Sequence, residues 1–198
     1  MRNCAFFQGR FQPVSIGHAA ALAVILEQWQ RVILGVVYDS PRPAHVDPRF
    51  TAYLDAVDVE SYGPFRNPFE PLEMLQMWQA HLAAEKLSNR VDCRLVKRLE
   101  FEQEFNAKYP PSEIDLVWPK LSAHDAATDV WRHKLYPSVL ARPIFYVGPV
   151  LKLHNASIRE QIKAGADWSK FIPAGAHDVF REIDGPARML EAIARRNT

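Results

Sequence analysis

Between the apolar run Cys4-Ala5-Phe6-Phe7 and a helix-like run from Ala19 to Gln30 stand Gly9, Arg10, Phe11, Gln12, Pro13, Ser15, Gly17 and His18. These types in this order can bind a phosphate. A helix N-terminus presents unpaired backbone N–H groups and about half a positive charge, which attract anions. Gly17 lets an anion approach the backbone, His18 in the first turn adds a directed donor, and Arg10, ahead of the bend made by Pro13, offers a guanidinium fork matched to phosphate oxygens. The simpler reading, an ordinary strand-to-helix turn punctuated by Pro13 and Gly17, stands beside it.

A loop of this kind needs a strand before it and a helix after it. The first strand is expected at about Asn3 to Phe7 and the helix at about His18 to Gln30, with a second strand in the continuous apolar run Arg31 to Tyr38. Strand, helix and strand in so short a span make a βαβ unit. The stripe of Leu72, Leu75, Met77, Trp78, Leu82 and Ala83 behind Pro71 predicts an amphipathic helix. Further strands are predicted in Val91 to Leu99, Glu113 to Trp118 and Arg142 to Gly148. The expected architecture is α/β: a Rossmann-like, doubly wound, parallel five-stranded sheet with a C-terminal helical tail. The first strand-to-helix loop of such sheets is where nucleotides bind. From Ser157 onward the pattern is helical, broken at Gly165, Pro173 and Gly185-Pro186.

The chain of 198 residues is expected to form a single domain, with a Pro- and aromatic-rich insertion at about 39–68 and a tail at about 173–198. Lys plus Arg total 24 against 23 Asp plus Glu, and the net charge of +1 argues against a basic nucleic-acid surface and for a small-molecule partner. No stretch has the length and apolarity of a membrane span or signal peptide, so a cytoplasmic protein is expected. Cys4 and Cys93 fall in predicted strands and are expected to be free thiols; no His or Cys spacing points to a structural metal site. Met189, Leu190 and Ile193 form an apolar tail face that suits either a homo-oligomer or packing on the chain's own sheet.

The stretch Gly9 to His18 resembles the signature of the nucleotidylyltransferase superfamily, whose first loop ends in H-x-G-H, in the form G-R-F-Q-P-x-H-x-G-H of the nicotinamide mononucleotide adenylyltransferases. Asn67, Pro68 and Phe69, with Met74 or Met77, are similar to that family's N-P-F/W stretch, and Ser157, Ile158 and Arg159 to its S-S/A-T-x-I-R loop. The resemblance implies transfer of AMP from Mg²⁺-ATP to a phosphate-bearing acceptor, most simply nicotinamide mononucleotide, with release of pyrophosphate. It implies triphosphate held by Arg10, His18, Arg159 and the amides around Ser157 and Ile158, with Gly9 and Gly17 making room. Phe11 and Gln12 would shape the nucleotide site, and Asn67 and Phe105 the acceptor site, Phe105 standing where the family stacks a tryptophan on the nicotinamide.

The sequence departs from the family at the site itself. Ser15 replaces the first histidine, so it is expected to act as a weaker, uncharged donor to phosphate; His154 and Ala156 stand where the family has hydroxyl residues. His45 or His154 are candidates to fill the vacated place, and Lys120, His124 or Asp125 to line the adenosine side. These departures leave open a different phosphate acceptor, CTP as donor, or a non-catalytic member that binds nucleotide.

Overall fold

The computed structural model describes residues 1–38, 68–97, 105–119, 143–148 and 155–196. Five strands form one parallel sheet: β1 (Arg2–Gly9), β2 (Trp29–Val37), β3 (Val91–Val96), β4 (Ile114–Pro119) and β5 (Ile144–Val147), in the order β3-β2-β1-β4-β5. The expected doubly wound sheet is thus observed. Ala5, Phe7, Val32, Leu34 and Val36 point to one face, and Phe6, Val37, Val96 and Leu116 to the other. Both faces are covered, which is why these strands read as apolar runs rather than as alternating ones.

On the first face lie α1 (Ile16–Gln28), α2 (Pro71–Ala84), α4 (Asn155–Lys163), α5 (His177–Glu182) and α6 (Gly185–Arg196), which contribute Leu22, Ile25, Met74, Trp78, Ile158, Phe180 and Met189 to a single core. A short helix α3 (Phe105–Lys108) covers the other face with Phe105 and Tyr109. Among the described residues no helix is long and apolar enough to cross a membrane.

Element boundaries differ from the predicted ones for identifiable reasons. Helix α1 starts at Ile16, because Ser15 is its N-cap, so His18 sits at the third helical position. It stops before Trp29, whose backbone pairs with Arg2 in the sheet and whose Nε1 donates to Asp115 at 2.8 Å. Arg90 closes that end by donating to the carbonyls of Leu26, Trp29 and Gln30. In the tail the break falls at Asp184, which takes φ +54°, whereas Gly185 and Pro186 open α6. A Cβ at Gly185 would lie 2.3 Å from the Phe180 ring, so the glycine permits a close crossing and the proline occupies a helix start, where it is tolerated.

Both cysteines are free, and burial raises each thiol, Cys93 to about 12. Met189 is fully buried in the chain's own core, so of the apolar tail residues it packs inward, while Leu190 stays exposed.

Candidate active site

Helices α1 and α4 follow β1 and β5, so both begin at the carboxyl edge of the sheet, on the same face. The order reverses between β1 and β4, and the crevice outside such a switch point is where open α/β sheets bind ligands. The first turns of α1 and α4, with Arg10 directly after β1 and Arg159 early in α4, therefore belong to this edge of the sheet. A polyanion is the ligand this arrangement suits.

Ser15 and His18 form a reciprocal capping box at the start of α1. The Ser15 backbone N–H donates to His18 Nδ1 at 3.1 Å, and the Ser15 hydroxyl lies 3.1 Å from the same nitrogen. A nitrogen that accepts from a backbone amide carries no proton, so the ring proton is assigned to Nε2. Burial pushes the His18 pKa down to about 4, outweighing the backbone hydrogen bond at Pro13 that acts in the opposite direction. At neutral pH His18 is an uncharged Nε2–H donor.

This geometry corrects the expected role of Ser15. Its side chain is wholly buried and turned onto His18, so it orients the histidine instead of donating outward to phosphate. The signal for this was present in the sequence: a serine three residues ahead of a polar side chain at the start of an apolar run.

Phe11 also has a different task from the one expected. It takes φ +52°, a left-handed conformation uncommon for a bulky residue. Its buried ring packs edge-on to Phe7, His18 and Trp78, with centroids 5.6, 5.0 and 5.1 Å away. The ring backs His18 rather than lining a pocket. Gly9 makes room for that ring and not only for a ligand, since a Cβ there would lie 2.9 Å from it. Gly17 is buried in the first turn of α1.

Gln12 is spent on the fold: its side-chain amide donates to Phe69 O at 2.9 Å and its carbonyl accepts from Phe69 N at 3.0 Å. Phe105 is on the opposite face of the sheet, 1% exposed, between Phe6 and Tyr109 at 5.2 and 4.9 Å. It presents no open ring face for an acceptor to stack on. Arg159 is nearly buried and Ile158 wholly so, the latter contributing its side chain to the core while its backbone belongs to the beginning of α4. Ser157 shares that first turn. Asn67, His45, Lys120, His124, Asp125 and His154 lie outside the described residues, as does nearly all of the 39–68 insertion.

Sequence reasoning missed three features. Phe171 O accepts from Ile16 N at 2.9 Å, so the C-terminal segment seals one of the first amides of α1. His177 holds that segment in shape through Nε2, which lies 2.8 Å from Ile172 O. Arg188 of α6 reaches Glu73 and the Pro68 carbonyl, each at 2.5 Å.

No family model matches the chain. The chain is 24% identical over 204 residues to the nicotinamide-nucleotide adenylyltransferase of Archaeoglobus fulgidus, covering 96% of this chain and 98% of that protein. It is 26% identical over 187 residues to the enzyme of the same name from Pyrococcus furiosus, covering 92% and 85%. Among solved structures it is similar to a bifunctional NMN adenylyltransferase/ADP ribose pyrophosphatase of Francisella tularensis complexed with AMP and a manganese ion, with TM-score 0.60 and 16% identity. All of this chain is covered in that match but 53% of the Francisella chain, so the likeness spans about half the length of that protein and is one of fold. The chain is thus similar over nearly its whole length to proteins named nicotinamide-nucleotide adenylyltransferases, and its five-stranded parallel α/β fold matches that of solved adenylyltransferase structures.

Proposed function

We propose that the protein is an adenylyltransferase that joins the AMP of ATP to nicotinamide mononucleotide, releasing pyrophosphate and forming NAD. The observation that carries the reading is His18, a half-buried neutral donor held at the start of α1 beside the carboxyl edge of β1. The named activity of the full-length archaeal relatives supports it.

In this reaction a phosphate oxygen of the acceptor attacks the α-phosphorus of ATP. The bond from that phosphorus to the bridging oxygen breaks, and pyrophosphate leaves with the electron pair. The nucleophile is already an anion, so no proton has to be removed, and catalysis is a matter of positioning and charge stabilisation. A neutral Nε2–H donor suits that task. In our reading His18 donates to a phosphate oxygen, Arg10 and Arg159 offset triphosphate charge, and the amides at the start of α1 and α4, Gly17 and Ser157 among them, supply further donors. Ser15 acts through His18.

Among the described residues no cluster of three or more His, Cys, Asp or Glu could hold a metal ion. Magnesium fits this site as part of the ATP substrate, coordinated by phosphate oxygens and water. We expect the reaction to take place in the cytoplasm.

Replacing His18 by Gln tests the assignment. The variant should fold and bind ATP, with turnover lowered about a hundred- to a thousandfold, the usual cost of one lost transition-state donor. Undiminished turnover would contradict it. The burial of Phe105, which removes the expected stacking partner of the nicotinamide, favours a second reading, in which the same transfer uses another phosphate-bearing acceptor. Competition between nicotinamide mononucleotide and other phosphomonoesters separates the two.

A further inference from the structure

The stretch between α4 and α5 is bound to the start of α1. Phe171 O accepts from Ile16 N at 2.9 Å, and Ile16 is the first helical residue of α1, directly after its N-cap Ser15. The first amides of a helix have no partner inside it and are ordinarily left to water or to a ligand. Here one of them is taken by a carbonyl from the C-terminal segment.

That carbonyl is held in place by His177, the first residue of α5. Its Nε2 lies 2.8 Å from Ile172 O and 3.1 Å from Ser169 O, carbonyls that flank Phe171 in the chain. A ring nitrogen facing two carbonyl oxygens carries a proton, so Nε2–H donates to both. The ring also packs edge-on to Trp168, with centroids 5.2 Å apart. The turn Trp168–Lys170 is closed by Asp167, which accepts from Ser169 N at 3.0 Å, and by Trp168 O, which accepts from Phe171 N at 2.9 Å. The entry to α5 leaves no slack against α2: a Cβ on Gly175 would lie 2.6 Å from that of Ala84 and 2.9 Å from His81 Cα. Ile172, Ala176 and Phe180 anchor the same segment in the core, and their hold does not depend on the His177 nitrogen.

We propose that His177 is a positioning residue for the phosphate end of the site: by holding the Ser169 and Ile172 carbonyls it keeps Phe171 O on Ile16 N, and so fixes the turn of α1 from which His18 acts. The proposal rests on the adenylyl-transfer reading above. His177 touches no substrate and works through Phe171 and Ile16. The first turn of α1 is locked twice, within the helix by the Ser15–His18 capping box and from outside by Phe171. A misplacement of about 1 Å at a group that meets the transition state costs on the order of a hundredfold in rate, and ground-state binding spread over many contacts feels it less.

The test uses the full-length protein with His177→Leu, which keeps bulk and removes the donor, and His177→Gln, whose amide N–H can reach the same carbonyls. His177→Leu should lower kcat about tenfold or more, with KM for ATP and for nicotinamide mononucleotide changed less than about threefold, and His177→Gln should recover most of that loss. Hydrogen exchange at the Ile16 amide should be slow in the wild type and in His177→Gln, and about tenfold faster or more in His177→Leu. In a His18→Gln background, His177→Leu should cost less than about twofold in kcat, because a residue that acts through His18 then has nothing left to position. If His177→Leu does not fold, His177→Asn, whose shorter amide stops short of both carbonyls, takes its place in each comparison. Unchanged kcat, an equal further loss in the His18→Gln background, or equal Ile16 exchange in all variants would overturn the proposal while leaving the transferase reading intact. A wild-type protein that binds ATP but never uses nicotinamide mononucleotide would overturn that reading, and the phosphate-positioning role with it.

Discussion

In the proposed reaction His18 is the directed donor to phosphate, and its neighbours explain how it is held. Two groups of Ser15 meet Nδ1, and Phe11 packs against the ring. Ser15→Ala keeps the backbone donor and removes the hydroxyl. Removing one neutral hydrogen bond of about 1 kcal/mol predicts a fall in kcat of roughly threefold to tenfold, with the Nε2–H tautomer still dominant in ¹⁵N spectra of the ring. Loss of activity as complete as in His18→Gln would show that Ser15 meets the substrate itself. The pH dependence follows from burial. The folded value of about 4 is below the ordinary 6.5, so the unfolded chain binds the extra proton between these limits. Stability is therefore full above about pH 6.5 and declines as pH falls towards 4, by roughly 3 kcal/mol at most, less whatever the ring's remaining solvent contact recovers. His81, also lowered by burial, acts in the same direction. Urea melts at pH 7 and pH 4.5 should show a smaller difference for His18→Gln than for the wild type; an equal difference would contradict the burial argument.

At the scale of elements, helix ends are held by distant groups. Arg90 serves carbonyls of Leu26, Trp29 and Gln30 at the end of α1, and its loss leaves them to water. Arg90→Ala should cost about 2 kcal/mol, seen as a lower urea midpoint with an unchanged m-value. A neutral substitution would mean water replaces the guanidinium without loss. Gly185→Ala should cost about 1 to 3 kcal/mol, because the added methyl meets the Phe180 ring where α5 crosses into α6. These contacts matter to the site because Phe171, near α5, caps Ile16, and Arg188 of α6 braces Pro68.

For the molecule as a whole, the sequence revealed what depends on local order. A parallel sheet covered on both faces writes its strands as apolar runs, and the loop between strand and helix that we propose holds phosphate shows in the succession of Gly9, Arg10, Pro13, Gly17 and His18. It did not reveal what depends on residues far apart. Nothing near Gln12 shows that its amide belongs to Phe69, and nothing near Arg188 shows Glu73. Only the resemblance gives Phe105 a stacking role, and a short helix of four residues leaves no periodicity from which its buried side could be read. The central claim is that this frame still performs adenylyl transfer with Ser15 in place of a histidine. The most direct measurement is pyrophosphate release by the purified protein with Mg²⁺ and ATP, with and without nicotinamide mononucleotide, the products being identified. The account predicts release that requires the acceptor and yields NAD in equal amount. Tight ATP binding with no acceptor-dependent release would contradict it.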